Sequence, residues 1–299
     1  MKFLNNVIPY ITLILILISI LYGISLSSTT TTMYVSKINI ENKLKEIPFF
    51  KKENLSRYIS YYNKNKSLTT KQIITDVNIG LDKPYYTDVK KSSKLNSTQI
   101  LVNKYISLPE DYVPNNLEPL NEKYAISGMK LTKEAKKAFE DMSEDASKEN
   151  LKIIAMSTYR SYTYQNILYN KYKKQDGQEE ADKYSARPGH SEHQTGLAVD
   201  IYNQTTSYTE FEKTKEFTWM QENAYKYGFI LRYPKDKIKQ TGYQYESWHY
   251  RYVGAEIAEY IHKNNITYDE YYIQKLDKKK EWCYHSLIKF LFQKFIKLI

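Results

Sequence analysis

Residues 191–200 read SEHQTGLAVD. From Leu197 to Ile201 the chain is apolar and branched, with Asp200 the one interruption, which is the pattern of a β-strand. Alternation along a strand puts Ala198, Asp200 and Tyr202 on one side, and Leu197, Val199 and Ile201 on the other. Asp200 is therefore carried on a stiff element, while His193 approaches from the loop before it. Gly196 lies between them and lets the chain turn sharply enough for the two to converge. A lone carboxylate buried in such a strand is costly unless it is paired or bound to a metal.

Working outward, a second cluster at 245–249 reads YESWH and offers Glu246 and His249. Two imidazoles and one carboxylate (His193, Asp200 and His249) make a three-ligand zinc set that leaves the fourth position for water, as catalytic zinc sites do. Glu246 is then the spare carboxylate such a site needs as a proton shuttle. One geometric condition follows. Residues i and i+3 face opposite ways on a regular strand, so Glu246 and His249 converge only if the chain turns or bulges at Ser247 and Trp248.

The patterns SxHxxGxAxD and ExWH resemble the zinc D-Ala-D-Ala carboxypeptidases of the VanY type, within a wider group that includes D-Ala-D-Ala dipeptidases and Hedgehog-like domains. The likeness continues through STYRSY at 157–162, RPG at 187–189, GFILRYP at 228–234 and WHYRYVG at 248–254. It spans residues 101–276, and more loosely VNIGLD at 77–82. The resemblance implies one zinc ion on His193, Asp200 and His249. Arg160 would hold the developing oxyanion, as its family counterpart does, a task suited to a side chain that stays charged and offers several fixed donors. Gln165 and Ser191 resemble positions lining the substrate groove, though Ser191 serves equally as a local turn-forming hydroxyl. Arg187 and Arg232 are candidates for a terminal carboxylate or for structural pairing. His190 falls outside the ligand pattern and is expected at the rim; Trp248 is expected under the metal site, flanked by Tyr250 and Tyr252. His262 and His285 are expected on the surface.

Composition sets outer limits. The chain has 299 residues, a formal net charge of +10, 31 tyrosines and one cysteine, Cys283. An intramolecular disulfide is excluded. The positive charge suits a polyanionic surface, and an anionic cell wall or membrane fits it better than nucleic acid, since no nucleic-acid module, P-loop or dinucleotide fingerprint is present. Residues 7–26 are almost wholly apolar and uncharged, with Lys2 before them. Twenty such residues span a bilayer as a helix. An uncleaved anchor or a cleaved signal peptide both fit, and either way the chain is exported.

Four regions are expected: a signal anchor or signal peptide at 1–27, a linker and accessory region at 28–110, the zinc peptidase domain at 111–276, and a basic amphipathic tail at 277–299. Residues 275–299 carry seven Lys among Trp, Phe, Leu and Ile, which fits a helix lying on an anionic membrane, or an atypical terminus. Residues 75–82 alternate and suggest a strand or docking segment. Thr132 can cap a helix in which Ala135, Ala138, Phe139, Met142 and Ala146 recur at helical spacing. Residues 151–156 read as a strand ending just before Arg160, residues 164–174 and 178–184 as helices, and residues 209–227 as one long helix ended by Gly228. Residues 229–232 and 250–253 read as strands and 254–263 as a closing helix. Helices interleaved with short strands give an α+β domain, a small antiparallel sheet flanked by helices, as in Hedgehog and D-Ala-D-Ala peptidase folds.

The function expected is removal of the terminal D-Ala from peptidoglycan stem peptides by metal-activated water, at the cell membrane with the catalytic domain outside. The rivals are a D-Ala-D-Ala dipeptidase or stem-peptide endopeptidase with the same chemistry, or a non-catalytic wall-binding module.

Overall fold

The computed structural model describes residues 42–277, together with Ile18 and Tyr22. The apolar run at 7–26 apart from those two, the Ser/Thr connector after it, Cys283, His285 and the tail beyond Asp277 lie outside the described residues. Among the described residues no helix is long and apolar enough to cross a membrane.

Two compact units are present, divided after Val77. In the first, a helix over Leu55–Lys64 buries Tyr58 and Tyr61, and the Tyr61 hydroxyl donates to Asp76 Oδ2 at 3.0 Å. The segment expected as a strand at 75–82 is instead mostly helix, Thr70–Ile79. Ile73, Ile74 and Val77 are wholly buried at i, i+1 and i+4, and this spacing overrides the alternation visible further along.

Among the described residues, the second unit holds eight short strands. β1 (Lys90–Lys91) pairs in parallel with β2 (Ile106–Ser107), and β3 (Leu117–Pro119) pairs antiparallel with β4 (Lys130–Thr132). The organising sheet contains β5 (Ile154–Ser157), β6 (Ala198–Tyr202), β7 (Phe229–Leu231) and β8 (His249–Tyr252) in the order β5-β6-β8-β7, antiparallel throughout. The α+β expectation, with its small antiparallel sheet, therefore holds. The core forms against this sheet and includes Phe139, Met142, Leu197, Val199, Ile201, Phe229 and Tyr250. It also takes in Ile100, Val102 and Leu108, so the folded unit begins well before residue 111.

The helix Lys133–Lys148 behaves as its periodicity predicts. Ala135, Phe139, Met142 and Ala146 are fully buried, and Phe139 meets Phe229 edge-on at 6.1 Å. Burying a phenylalanine of this kind stabilises by roughly 1.5–3 kcal/mol. Thr132 occupies the N-cap with extended backbone, but its hydroxyl makes no capping bond.

The long helix expected at 209–227 is broken into a 3₁₀ turn (Tyr208–Lys213), an α-helix (Lys215–Asn223) and a second 3₁₀ turn (Ala224–Tyr227). The break falls at Thr214, which is extended (φ −99°, ψ 159°) and whose hydroxyl accepts from Phe217 N at 3.1 Å. Threonine favours the cap over the helix interior because its hydroxyl can satisfy an orphan amide. Gly228 then ends the segment at φ +86°, where a Cβ would sit 2.8 Å from the Tyr252 ring and 2.9 Å from the Gly254 carbonyl carbon.

Candidate metal centre

Register places the site. In the β6–β8 pairing Asp200 stands directly opposite His249, and in the β5–β6 pairing it stands opposite Ser157 across a register shift between Ala155 and Ser157. The third element is a 3₁₀ turn, Glu192–Thr195, capped by Ser191, whose Oγ accepts from His193 N at 3.3 Å. Gly196 ends it at φ +65°, and a Cβ there would lie 2.7 Å from Leu117 Cδ2. The sharp turn expected between His193 and Asp200 is therefore made, and only glycine makes it without strain.

His193, Asp200 and His249 offer ligand atoms that all lie within 4.8 Å of one another, and all three residues are buried. His193 Nδ1 is 2.7 Å from the Thr158 carbonyl oxygen, which can only accept, so this nitrogen carries the proton of the neutral ring. Nε2 is left with its lone pair 3.2 Å from Asp200 Oδ2, buried and without a hydrogen-bond partner. His249 Nδ1 lies 2.9 Å from the other carboxylate oxygen, Asp200 Oδ1. A lone pair facing a carboxylate is stable only around a shared cation or proton, so this donor set fits a divalent metal, and two nitrogens with one oxygen suit zinc.

The charges agree. Burial, with Arg160 nearby, lowers His193 to about 4, so the ring is a neutral ligand at physiological pH. Burial opposes the charged form of His249 as well, but the hydrogen bond it donates to Asp200, with help from Glu192, outweighs it and raises the ring to about 9. Burial pulls Asp200 upward, yet the two histidines hold it well below the usual carboxylate range.

Glu246 meets the geometric condition set by the sequence. The chain turns through Ser247 and Trp248, with His249 N donating to the Glu246 carbonyl at 3.3 Å, and Glu246 Oε2 comes to 3.7 Å from His249 Nδ1. Burial drives the Glu246 carboxyl up to about 8, against the pull of His249. A cation in the cluster acts in the same direction as that pull, toward the ionised form. Arg160 reaches in from the loop after β5: Nη2 is 3.1 Å from Asp200 Oδ2 and Nη1 donates to Gln165 Oε1 at 3.0 Å, while Nε is buried and unpartnered. These groups line a cavity of about 570 Å³, together with Gln165, Ser191, Tyr208 and Trp248.

Several expectations change. Gln165 lines the cavity, but its amide holds Arg160 and donates to the Ala186 carbonyl at 2.8 Å, so it braces the arginine. Ser191 lines the cavity and caps the 3₁₀ turn at once. Arg187 is clamped to Asp182 by two bonds (3.0 and 2.7 Å), and Arg232 is buried between Glu192 and Asp269, so both make the structural pairing. His190 stays off the cavity, bonding the Asn103 carbonyl at 2.7 Å. His262 is exposed and stacks on Tyr225. The ring packed on His249 is Tyr233, at 4.9 Å, whereas Trp248 meets Tyr208 edge-on and Tyr250 belongs to the core on the other side of β8.

Sequence reasoning passed over Glu192. It is wholly buried, its Oε1 takes Arg232 Nε at 2.8 Å and Arg251 Nη1 at 2.9 Å, and its Oε2 lies 3.7 Å from His249 Nε2. Burial would raise its carboxyl, but the two guanidinium groups hold it far below the usual range. The available signal was an acidic residue inside the ligand motif itself, adjacent to His193.

A buried histidine–aspartate–histidine triad with a carboxyl and an arginine over one cavity defines a zinc metallopeptidase. Comparison with known proteins agrees. The VanY model, described as D-alanyl-D-alanine carboxypeptidase, matches residues 128–255. YodJ of Bacillus subtilis (strain 168), which bears the name of a carboxypeptidase, is 39% identical over 205 residues, 64% of this chain and 75% of YodJ. The structure of the LdcB LD-carboxypeptidase is similar with a TM-score of 0.59 at 37% identity, covering 63% of this chain and 91% of that one. A mutant of the vancomycin-resistance D,D-pentapeptidase VanY, in complex with Zn(II), is similar with a TM-score of 0.50 at 34% identity, covering 58% of this chain and 98% of that one. The chain belongs to the VanY family of zinc carboxypeptidases.

Proposed function

We propose that this protein removes the C-terminal D-alanine from peptidoglycan stem peptides. The observation that carries the reading is that Asp200 and His249, clustered with His193, share one cavity with Glu246 and Arg160, since a purely structural zinc site needs neither of the last two. Bound by the two histidines and Asp200, zinc supplies Lewis acidity toward a water and the scissile carbonyl. Glu246 takes the proton of the attacking water and returns it to the departing amine, a role that a carboxyl tuned toward neutral pH performs well. Arg160, braced by Gln165, donates to the oxyanion as it forms.

The bond preferred is the terminal D-Ala-D-Ala bond, supported by the family and by the likeness to a D,D-pentapeptidase. The likeness to LdcB favours a second reading, in which the last D-Ala of a tetrapeptide leaves from an L,D bond. Dipeptide release and an internal cut are the remaining variants of the same chemistry. The apolar run at 7–26 supports a membrane anchor with the peptidase outside, the basic tail a further contact with an anionic surface, and the net charge an affinity for the wall. Nucleic acid has no part in this reading.

The full chain in detergent, given stem pentapeptide and tetrapeptide separately, tests it by mass spectrometry with chelator and zinc add-back. Loss of one alanine from the pentapeptide, abolished by chelation and restored by zinc, is the expected result. Loss only from the tetrapeptide moves the assignment to the L,D bond, and zinc binding without any cleavage overturns it.

A further inference from the structure

The geometry points to Glu192 as a positioning residue that fixes which nitrogen of His249 faces the metal. This rests on the zinc reading above and adds a residue that acts through His249.

His249 Nδ1 faces Asp200, inside the ligand cluster, so metal binding requires a lone pair there and the proton on Nε2. Nε2 is buried and makes no hydrogen bond; Glu192 Oε2 is likewise buried and without one, and the two face each other at 3.7 Å. Each is the available complement of the other, an N–H donor against a carboxylate acceptor, and an approach of less than 1 Å closes the bond. Burying two such atoms without that pairing is costly.

Glu192 is held for this role from its other oxygen. Oε1 accepts from Arg232 and Arg251; Arg232 Nη1 donates to Asp269 Oδ2 at 2.7 Å, and Asp269 Oδ1 accepts from Asn103 Nδ2 at 2.8 Å. Arg251 Nη2 reaches the Ile100 and Thr98 carbonyls at 2.7 and 3.1 Å. The carboxylate is thus pinned by groups far apart in sequence, with Oε2 aimed at the imidazole. Carboxylates set behind metal-binding histidines act in this way, and removing one lowers metal affinity about 10- to 100-fold.

Glu192→Gln separates this role from bulk. The amide oxygen keeps both arginines as donors, so the NH₂ must take the place of Oε2 and donate toward Nε2. That moves the ring proton to Nδ1 and blocks the ligand position. Asp269→Asn loosens the same network but leaves Oε2 a carboxylate oxygen. Zinc affinity would be measured on the full chain by competition with a chelator, and the protonated nitrogen of His249 by ¹⁵N NMR of histidine-labelled, zinc-loaded protein. The expected results are Nε2–H in the zinc-loaded wild type, zinc binding weakened about 10- to 100-fold in Glu192→Gln, and Asp269→Asn within about threefold of wild type. Wild-type affinity in Glu192→Gln, or an equal loss in Asp269→Asn, overturns the inference alone. Should Glu192→Gln fail to fold, a zinc-loaded wild-type His249 that carries its proton on Nδ1 and so holds the metal through Nε2 overturns it by itself. A wild-type chain that binds no zinc overturns the zinc reading and this inference together.

Discussion

Asp200 and His249 are cross-strand partners, one on β6 and one on β8, with Asp200 Oδ1 and His249 Nδ1 2.9 Å apart. Two of the three ligands are therefore set by sheet register, and a slip of one residue would turn one of them to the opposite face. Asp200→Asn keeps the shape and removes the charge that holds the cluster together. We expect zinc affinity to fall by more than about 100-fold, beyond what loss of a merely supporting contact produces, as read by chelator competition. Affinity within tenfold of wild type would remove Asp200 from the ligand set.

Glu246→Gln removes the proton shuttle and leaves the ligands in place. The expected outcome is zinc content equal to wild type with turnover lowered about 10²- to 10⁴-fold, measured by metal analysis and D-Ala release. Wild-type turnover in this variant would refute the assignment.

His249 makes metal binding pH-dependent. The partners that raise it to about 9 stabilise the protonated ring, and a metal at Nδ1 must displace that proton. Zinc affinity should rise by about tenfold per pH unit up to about 9 and flatten above it, because one proton is released per ion bound. His193 contributes no slope in this range, since it is lowered to about 4 and is already neutral. A flat zinc affinity between pH 6 and about 9 would contradict this.

Arg160→Lys keeps one charge but loses the planar fork that spans Asp200 and Gln165. We expect kcat to fall about 10²- to 10³-fold with KM and zinc content little changed, the signature of a contact made in the transition state. A change confined to KM would place Arg160 in substrate binding.

Gly196→Ala tests the turn that carries His193 toward Asp200. Positive φ and the approach of Leu117 both oppose a Cβ, and a loss of about 1–3 kcal/mol in unfolding stability is expected. Stability equal to wild type would mean that the turn has room to relax.

The local sequence determined the parts whose physics is local. Alternation over 197–201 foretold β6, and 3.6-residue periodicity foretold the helix Lys133–Lys148. Gly196 and Gly228 marked two of the turns that adopt positive φ. The residue types at 193, 200, 246 and 249 also named the metal chemistry before any geometry was known, because few side chains can perform it. Tertiary structure decided which apparent alternatives prevailed: burial of Ile73, Ile74 and Val77 made a helix of a segment that alternates like a strand, and the Thr214 hydroxyl divided what reads as one helix. It alone brought Glu192 against Arg232 and Arg251, and Tyr233 against His249, since these contacts join residues 16 to 59 positions apart. No window along the chain contains such contacts. They exist only once the sheet has closed and a charge removed from water must find its partner inside.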